Sequence, residues 1–356
     1  MKLNMEKEKS TRIILSISSC IAAICLLVLF NFIFDSYQLR IVNLCGIYIT
    51  LALSLNLIYG FTGMFSLGHA GFMAVGAYTT ALLTMTPDQK LENFFLEPLV
   101  PWLVNIEMGF LPALLIGGLL AAIVGFFIGL PVLKLKDDYL AIATLGFAEI
   151  IRIVFTNLQN VTNGPLGLKG LPPHTNIWWS WGVAFVSIIF MVYLFRGSYG
   201  RAFKAIREDE VAAEAMGINL FRHKMLSFTI GSFMAGIGGG LLGNLMGTID
   251  PLMFRFLLTF NILLIVVLGG MGSITGTVIA GIIVTVLMEY LRFLDEPMNL
   301  FFFKTNAIPG MRMVVFSIML MVVILFFRRG IMGNREFSWD FIFKRGLKKD
   351  GVEGEQ

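Results

Sequence analysis

The sequence has 356 residues, of which 57% are hydrophobic and only 14% charged, with a formal net charge of +4. A water-soluble domain carries about 25% charge, so a soluble enzyme or binding module is excluded, and no basic patch interleaved with aromatics points to nucleic acid. Apolar runs of roughly 20 residues, the length of a bilayer-crossing helix, recur from end to end; they are continuous rather than alternating over ~10 residues as in a barrel, so the fold class is an all-α polytopic membrane protein.

The first segment, 1–11, carries Lys2, Lys7 and Lys9. The apolar run after it ends in FNFIFDSYQ without a small-residue cleavage site, so it reads as a retained first span rather than a signal peptide. Ten spans are predicted in all, at 12–34, 39–59, 63–85, 110–133, 139–158, 177–195, 224–246, 256–271, 274–294 and 309–327. The eighth is short enough to be re-entrant. With the N-terminus in the cytoplasm, the inside segments hold 19 of the 27 Lys and Arg residues. The 86–108 loop outside is acidic, with Asp88, Glu92, Glu97 and Glu107 against Lys90. This asymmetry follows the positive-inside rule and puts both termini in the cytoplasm. The expected organisation is a transmembrane domain over 12–327, a charged cytoplasmic segment at 196–223 within it, and a cytoplasmic tail from 328 to 356.

Small residues recur four apart in three rows: Gly117, Ala121, Gly125 and Gly129; Ser66, Ala70 and Ala74; Gly239, Gly243 and Gly247. Such rows let helix backbones approach closely in lipid, and generic bundle packing explains them. YGFTGMFSLGHAGF (59–72) and LGGMGSITG (268–276) are glycine-rich joints between apolar runs. Whether they mark an internal repeat is left open. The piece GGGLLG (238–243) formally matches a dinucleotide fingerprint, but it lies inside an apolar span with no preceding strand. Cys20, Cys25 and Cys45 all fall in apolar runs and read as small core residues.

Polar residues at membrane depth are costly and therefore informative. Glu149 and Arg152 sit inside the fifth predicted span, with Glu149 about 15 Å from Tyr139 at the helical rise. At i,i+3 they share a face and can neutralise each other. Asn56, Ser66 and His69 lie in the second and third spans, and Asn163 and Gly164 in the ordered loop VTNGPLGLKGLPP after the fifth. These seven residues are candidates for a substrate path; an interhelical structural role is the competing reading for each. Glu289 and Arg292 repeat the i,i+3 pairing and read as structural. The sequence has no GxxxxGK[ST], HExxH or GxSxG motif, so no ATP-hydrolysing or other catalytic centre is expected in this chain. His69, His174 and His223 fall in different regions, so no metal site and no cofactor are expected either.

The stretch RAFKAIREDEVAAEAMGINLFRHK (201–224) breaks the apolar pattern. Its alanines favour helix, Gly217 is a plausible C-terminal stop, and Ile218, Leu220 and Phe221 add apolar surface. A docking element and a self-neutralising surface helix both fit this composition. A resemblance is carried by the stretches LNLIYGFTGMFSLGHAGFMAVGAYTTALL (55–83), YLAIATLGFAEIIRIVFTNLQNVTNGPLGLKGLP (139–172), GRAFKAIREDEVAAEAMGINLFRHKMLSF (200–228) and LGGMGSITGTVIAG (268–281). Together they resemble the permease subunits of prokaryotic ATP-binding-cassette importers for branched-chain amino acids, in particular the longer of the two permease types. The resemblance implies that the 200–228 region is the coupling helix that meets the ATPase, with Arg207, Glu208, Ala212, Ala213, Glu214, Gly217 and Ile218 as the coupling residues. It also implies a second homologous permease, two cytoplasmic ATPases that bind the ATP, an extracytoplasmic substrate-binding protein, and residence in the prokaryotic cytoplasmic membrane. A related permease for urea or short amides is the alternative within the class. An ion-coupled secondary transporter, with Glu149 as the coupling group, is the alternative outside it.

Overall fold

The computed structural model describes residues 24–135, 137–295, 298–300, 303–305, 310–326, 330–333 and the single positions 18, 22 and 336. The expected N-terminal segment 1–11, Cys20 and most of the tail 328–356 lie outside the described residues. Contacts divide the chain into two units, one of residues 1–39 with 335–356 and one of residues 40–334. In the first, helix α1 (Ile24–Ile33) is the main described element.

The second unit is a helical assembly. Helix α2 (Ser36–Asn56) continues into a π-helical turn, Leu57–Phe61, and α3 (His69–Thr84) follows after an irregular stretch. Short helices α4 (Pro87–Asn93) and α5 (Pro101–Val104) lie in the next connection, and then come α6 (Phe110–Val132), α7 (Asp137–Asn157) and α8 (Gln159–Thr162). The chain continues with α9 (Ile177–Arg196), α10 (Ser198–Glu208), α11 (Glu210–Ala215), α12 (Leu220–Met246), α13 (Phe256–Gly269), α14 (Ile274–Tyr290) and α15 (Met311–Phe326). Strands among the described residues are limited to two ribbons, Leu168–Lys169 with Thr248–Ile249 and Met298–Leu300 with Phe303–Thr305, both antiparallel. Among the described residues, six helices, at 36–61, 110–132, 138–157, 177–196, 220–246 and 274–295, are long and apolar enough to cross a membrane. Of the other four expected, α3 has 16 residues, α13 14 and α15 16, and the first, 12–34, lies partly outside the described residues, with α1 its described part.

Helix starts follow local chemistry. Thr86 and Gln89 form a capping box at α4 with Pro87 in its first turn. Asn176 accepts from Trp178 N and Trp179 N at α9, Asn219 from Arg222 N at α12, and Ser273 from Gly276 N at α14. In the 86–108 connection Lys90 is fully buried, and its ammonium donates to the carbonyls of Leu103 at 2.9 Å and Ile106 at 2.5 Å. Burial pulls its pKa below the usual lysine value, and the charge of Glu107 opposes that pull.

The core is the triple packing of α3, α6 and α12, and glycine sets its spacing. A Cβ on Gly76 would stand 2.0 Å from the Gly236 carbonyl oxygen, one on Gly117 2.9 Å from the Gly76 carbonyl oxygen, and one on Gly239 2.1 Å from the Met73 carbonyl oxygen. The α6 row thus lies at helix crossings: Gly117 meets α3, while Gly125 meets Ser232 and Gly129 meets Met225 on α12. The α12 row holds at Gly239 and Gly243, whereas Gly247 is the left-handed C-cap of the helix with open space around it. The Ser66, Ala70, Ala74 row does not form one helical face, because the third span begins at His69 rather than at 63 and Ser66 precedes it. Distant side chains take up the amides that this stretch and the first turn of α3 leave open: Leu67 N donates to Thr144 Oγ1 at 3.0 Å and Ala70 N to Thr259 Oγ1 at 2.9 Å.

Overpacking this core is expected to be costly. Gly236→Leu should destabilise the protein by about 1–3 kcal/mol or more, read as a lower thermal midpoint in detergent. Gly146→Ala, on an α7 face with nothing within 4 Å, should hold or slightly raise the midpoint.

Candidate functional site

The two glycine-rich joints, far apart in sequence, meet at one place. The first begins where α2 turns π-helical at Leu57 and Gly63 takes a positive φ of 79°. The second connects α13 to α14 through Gly270 and Gly272, both at positive φ. Asn56 ties them together. Its side chain is buried, donates to Ser273 O at 3.0 Å and Thr277 Oγ1 at 2.7 Å, and accepts from Gly272 N at 2.9 Å. Every polar position of the amide that reaches the second joint is used, which fixes the register of α2 against the α13–α14 hairpin.

The charged segment closes over this junction. It folds as two helices rather than one, because Asp209 takes an extended conformation and caps α11 by accepting from Val211 N and Ala212 N. Arg207, at the end of α10, is turned inward: Nη1 donates to the Gly60 carbonyl at 2.9 Å, and Nε and Nη2 reach Glu208 Oε1 at 3.2 and 2.5 Å. The last carbonyls of a helix lack intrahelical partners, and Arg207 supplies one here. Elsewhere on α10, Phe203 is fully buried, and Lys204 Nζ stands 5.9 Å over the ring of Phe61, which stacks on Phe195 at 3.6 Å.

Helix α11 ends in a Schellman motif around Gly217 (φ 83°), with Ile218 N donating to Ala213 O and Gly217 N to Glu214 O. Lys224 on α12 anchors it through Glu210 at 2.5 Å. Ala213 faces inward and is buried, while Ala212, Glu214, Ala215 and Gly217 are exposed. The tip presents two large apolar side chains, Val211 at 78% and Met216 at 82% exposure.

The sequence matches the family described as branched-chain amino acid transport system, permease component, over residues 37–325. The chain belongs to that family. It is 34% identical over 310 residues to the high-affinity branched-chain amino acid transport system permease protein LivM of Escherichia coli, covering 78% of this chain and 68% of that protein. It is 29% identical to the probable branched-chain amino acid transport permease protein LivM of Methanocaldococcus jannaschii, covering 70% and 80%. It is also 27% identical to the permease protein LivH of Escherichia coli over 319 residues, covering 83% and 94%. No solved structure matches the chain. Family and helices together make it a multi-pass permease of the longer, LivM type, and the family is a transport component rather than an enzyme.

The other predicted residues of this permease scatter over three further places. His69 is buried at the start of α3, where Nε2 lies 3.3 Å from Ser54 Oγ, which donates to Gly231 O at 2.7 Å; the three groups join α2, α3 and α12. Ser66 is buried in the stretch before α3. Glu149 and Arg152 pair at 2.7 Å on α7, with their side chains 38% and 23% exposed. Asn163 and Gly164 both take positive φ in the turn after α8, and Asn163 Nδ2 donates to Gly167 O at 2.8 Å. Sequence reasoning missed Gly60, Gly63 and Gly272 as contacts of Arg207, and Val211 and Met216 as exposed apolar groups. The signal for the last two was present: two large apolar residues within a run of charge and alanine.

Asn56 is the testable element of the junction. Asn56→Leu should leave the partly buried Gly272 amide without its acceptor and cost about 1–3 kcal/mol, read as a lowered thermal midpoint of the detergent-solubilised protein.

Proposed function

We propose that this permease forms half of the membrane pathway of an ATP-binding-cassette importer for branched-chain amino acids in a prokaryotic cytoplasmic membrane. A second homologous permease supplies the other half, an extracytoplasmic binding protein delivers the amino acid, and two cytoplasmic ATPases bind and hydrolyse the ATP. The chain crosses the membrane about ten times with both termini in the cytoplasm. The observation that carries the reading is the α10–α11 pair: a charged element, capped at α11 by Asp209, whose tip exposes Val211 and Met216. Exposed apolar side chains on a rigid polar mount are suited to a groove of a partner protein. The curated relatives named as permease proteins of branched-chain amino acid transport systems support the substrate class.

The Glu149–Arg152 pair supports a second permease against α7. On that helix Tyr139, Ile142, Ile150 and Ile153 are also exposed, and Gly146 leaves a notch between them. A half-exposed ion pair at membrane depth is costly against lipid and is relieved by protein or by a water-filled path. The same pairing speaks against Glu149 as the proton carrier of a secondary transporter, since its carboxylate is already matched by Arg152.

Two experiments test the reading. Purification of the tagged chain from its native membrane in mild detergent should recover ATPase subunits and a second permease in stoichiometric amounts. Val211→Asp with Met216→Asp should remove the ATPases while the second permease stays; full retention of the ATPases would overturn the docking assignment. Independently, Gly146→Cys should cross-link to a cysteine placed in the partner permease. A cysteine at 146 that reacts only with lipid-soluble reagents would assign α7 to the lipid face.

A further inference from the structure

Arg207 was expected among the residues that meet the ATPase, yet its side chain points the other way. It contacts both glycine joints at once. Its Nη1 holds the Gly60 carbonyl, a Cβ on Gly63 would stand 3.1 Å from the Arg207 Cγ, and one on Gly272 would stand 2.4 Å from Nη1. The backbone at 63 and 272 therefore lies flush against the arginine, with positive φ at both positions. Asn56, the residue that leads into the first joint, bonds the second from within the bundle. The guanidinium and the amide thus clamp one junction from opposite ends: Arg207 from the docking element, Asn56 from the span.

We infer that Arg207 is the positioning residue that transmits movement of the α10–α11 element to the paired glycine joints, and through them to α2, α3, α13 and α14. This deepens the importer reading and rests on it. Two of the element's polar attachments have different consequences. Lys224–Glu210 ties α11 to α12, which belongs to the close-packed core and has no break at that point. Arg207–Gly60 ties α10 to the place where one span changes helical type and the next has not begun. Dense cores do not deform continuously, whereas irregular joints absorb changes of φ and ψ. A push on the docking tip therefore reaches the joints through Arg207 more readily than it reaches the core through Lys224. Arginine suits this role because its planar fork serves Glu208 and the Gly60 carbonyl together, which a lysine ammonium does less well.

The experiment compares the complete importer, reconstituted in liposomes with its binding protein and ATPases, carrying wild type, Arg207→Gln, Arg207→Lys or Gly272→Ala permease. The readout is amino acid taken up per ATP hydrolysed, alongside recovery of the ATPases in the purified complex. Arg207→Gln is expected to retain the ATPases and to lower the uptake per ATP by at least about tenfold, the scale of losing a hydrogen bond from a charged group. Arg207→Lys should restore part of the ratio. Gly272→Ala, which leaves every charge in place but crowds Nη1, should lower the ratio as well. An unchanged ratio in Arg207→Gln and Gly272→Ala overturns the inference while leaving the importer intact. Loss of the ATPases from the Arg207→Gln complex also overturns it, because Arg207 would then be a docking contact. Wild-type uptake that persists without ATPases would instead remove the importer reading on which the inference stands.

Discussion

Interrupting a helix among apolar neighbours leaves backbone amides and carbonyls that neither lipid nor hydrocarbon side chains can satisfy. This permease interrupts its helices in two places and answers the problem with side chains. Asn56 serves Gly272 and Ser273, Thr144 serves Leu67, Thr259 serves Ala70, and Arg207 serves Gly60. Each of these bonds joins residues more than 75 positions apart. The joints are thus held by the rest of the fold and are not locally stable turns. They keep their conformation only while α7, α10, α13 and α14 stay in register.

That dependence divides the permease into regions with different stiffness. In the α3–α6–α12 core, backbones touch through Gly76, Gly117, Gly236 and Gly239, and there is no room for another methyl group. Such packing resists gradual change. Around the joints, a few hydrogen bonds carry the geometry. Alternating exposure of a pathway needs both behaviours: walls that move as bodies, and limited places where they turn.

Much of this was legible in the sequence, and the failures have physical causes. Hydropathy placed the sixth predicted span at 177–195 against a helix of Ile177–Arg196, and the fourth at 110–133 against Phe110–Val132, because continuous apolar runs of that length have few other solutions. The third span was misjudged at its start. Residues 63–68 are apolar enough to be helix, but Thr144 takes up the Leu67 amide and Thr259 the Ala70 amide at the start of α3, and no local window contains either threonine. The i,i+3 spacing gave the Glu149–Arg152 pair outright. Composition marked 201–224 as helical and set apart, but the break at Asp209 lies in a run of three acidic residues, and nothing local says which one becomes the cap. Nor does composition say which way Arg207 points.

The direction of Arg207 changes what the charge of this segment is for. A run of mixed charge on a helix is ordinarily a solvated face whose ion pairs contribute little. Here the charges divide by task. Lys224, 11% exposed, fastens α11 to α12, and Arg207, 21% exposed, fastens α10 to the joint. Arg201, Glu208, Asp209 and Glu214 remain on the open side with Val211 and Met216. Two of the cations are thus spent on the membrane body, and the outward face of α11 is left acidic and apolar. A partner fitted to that face needs an apolar groove with basic residues at its rim, and under the proposed importer reading this is the surface that the ATPase docked on this permease has to offer.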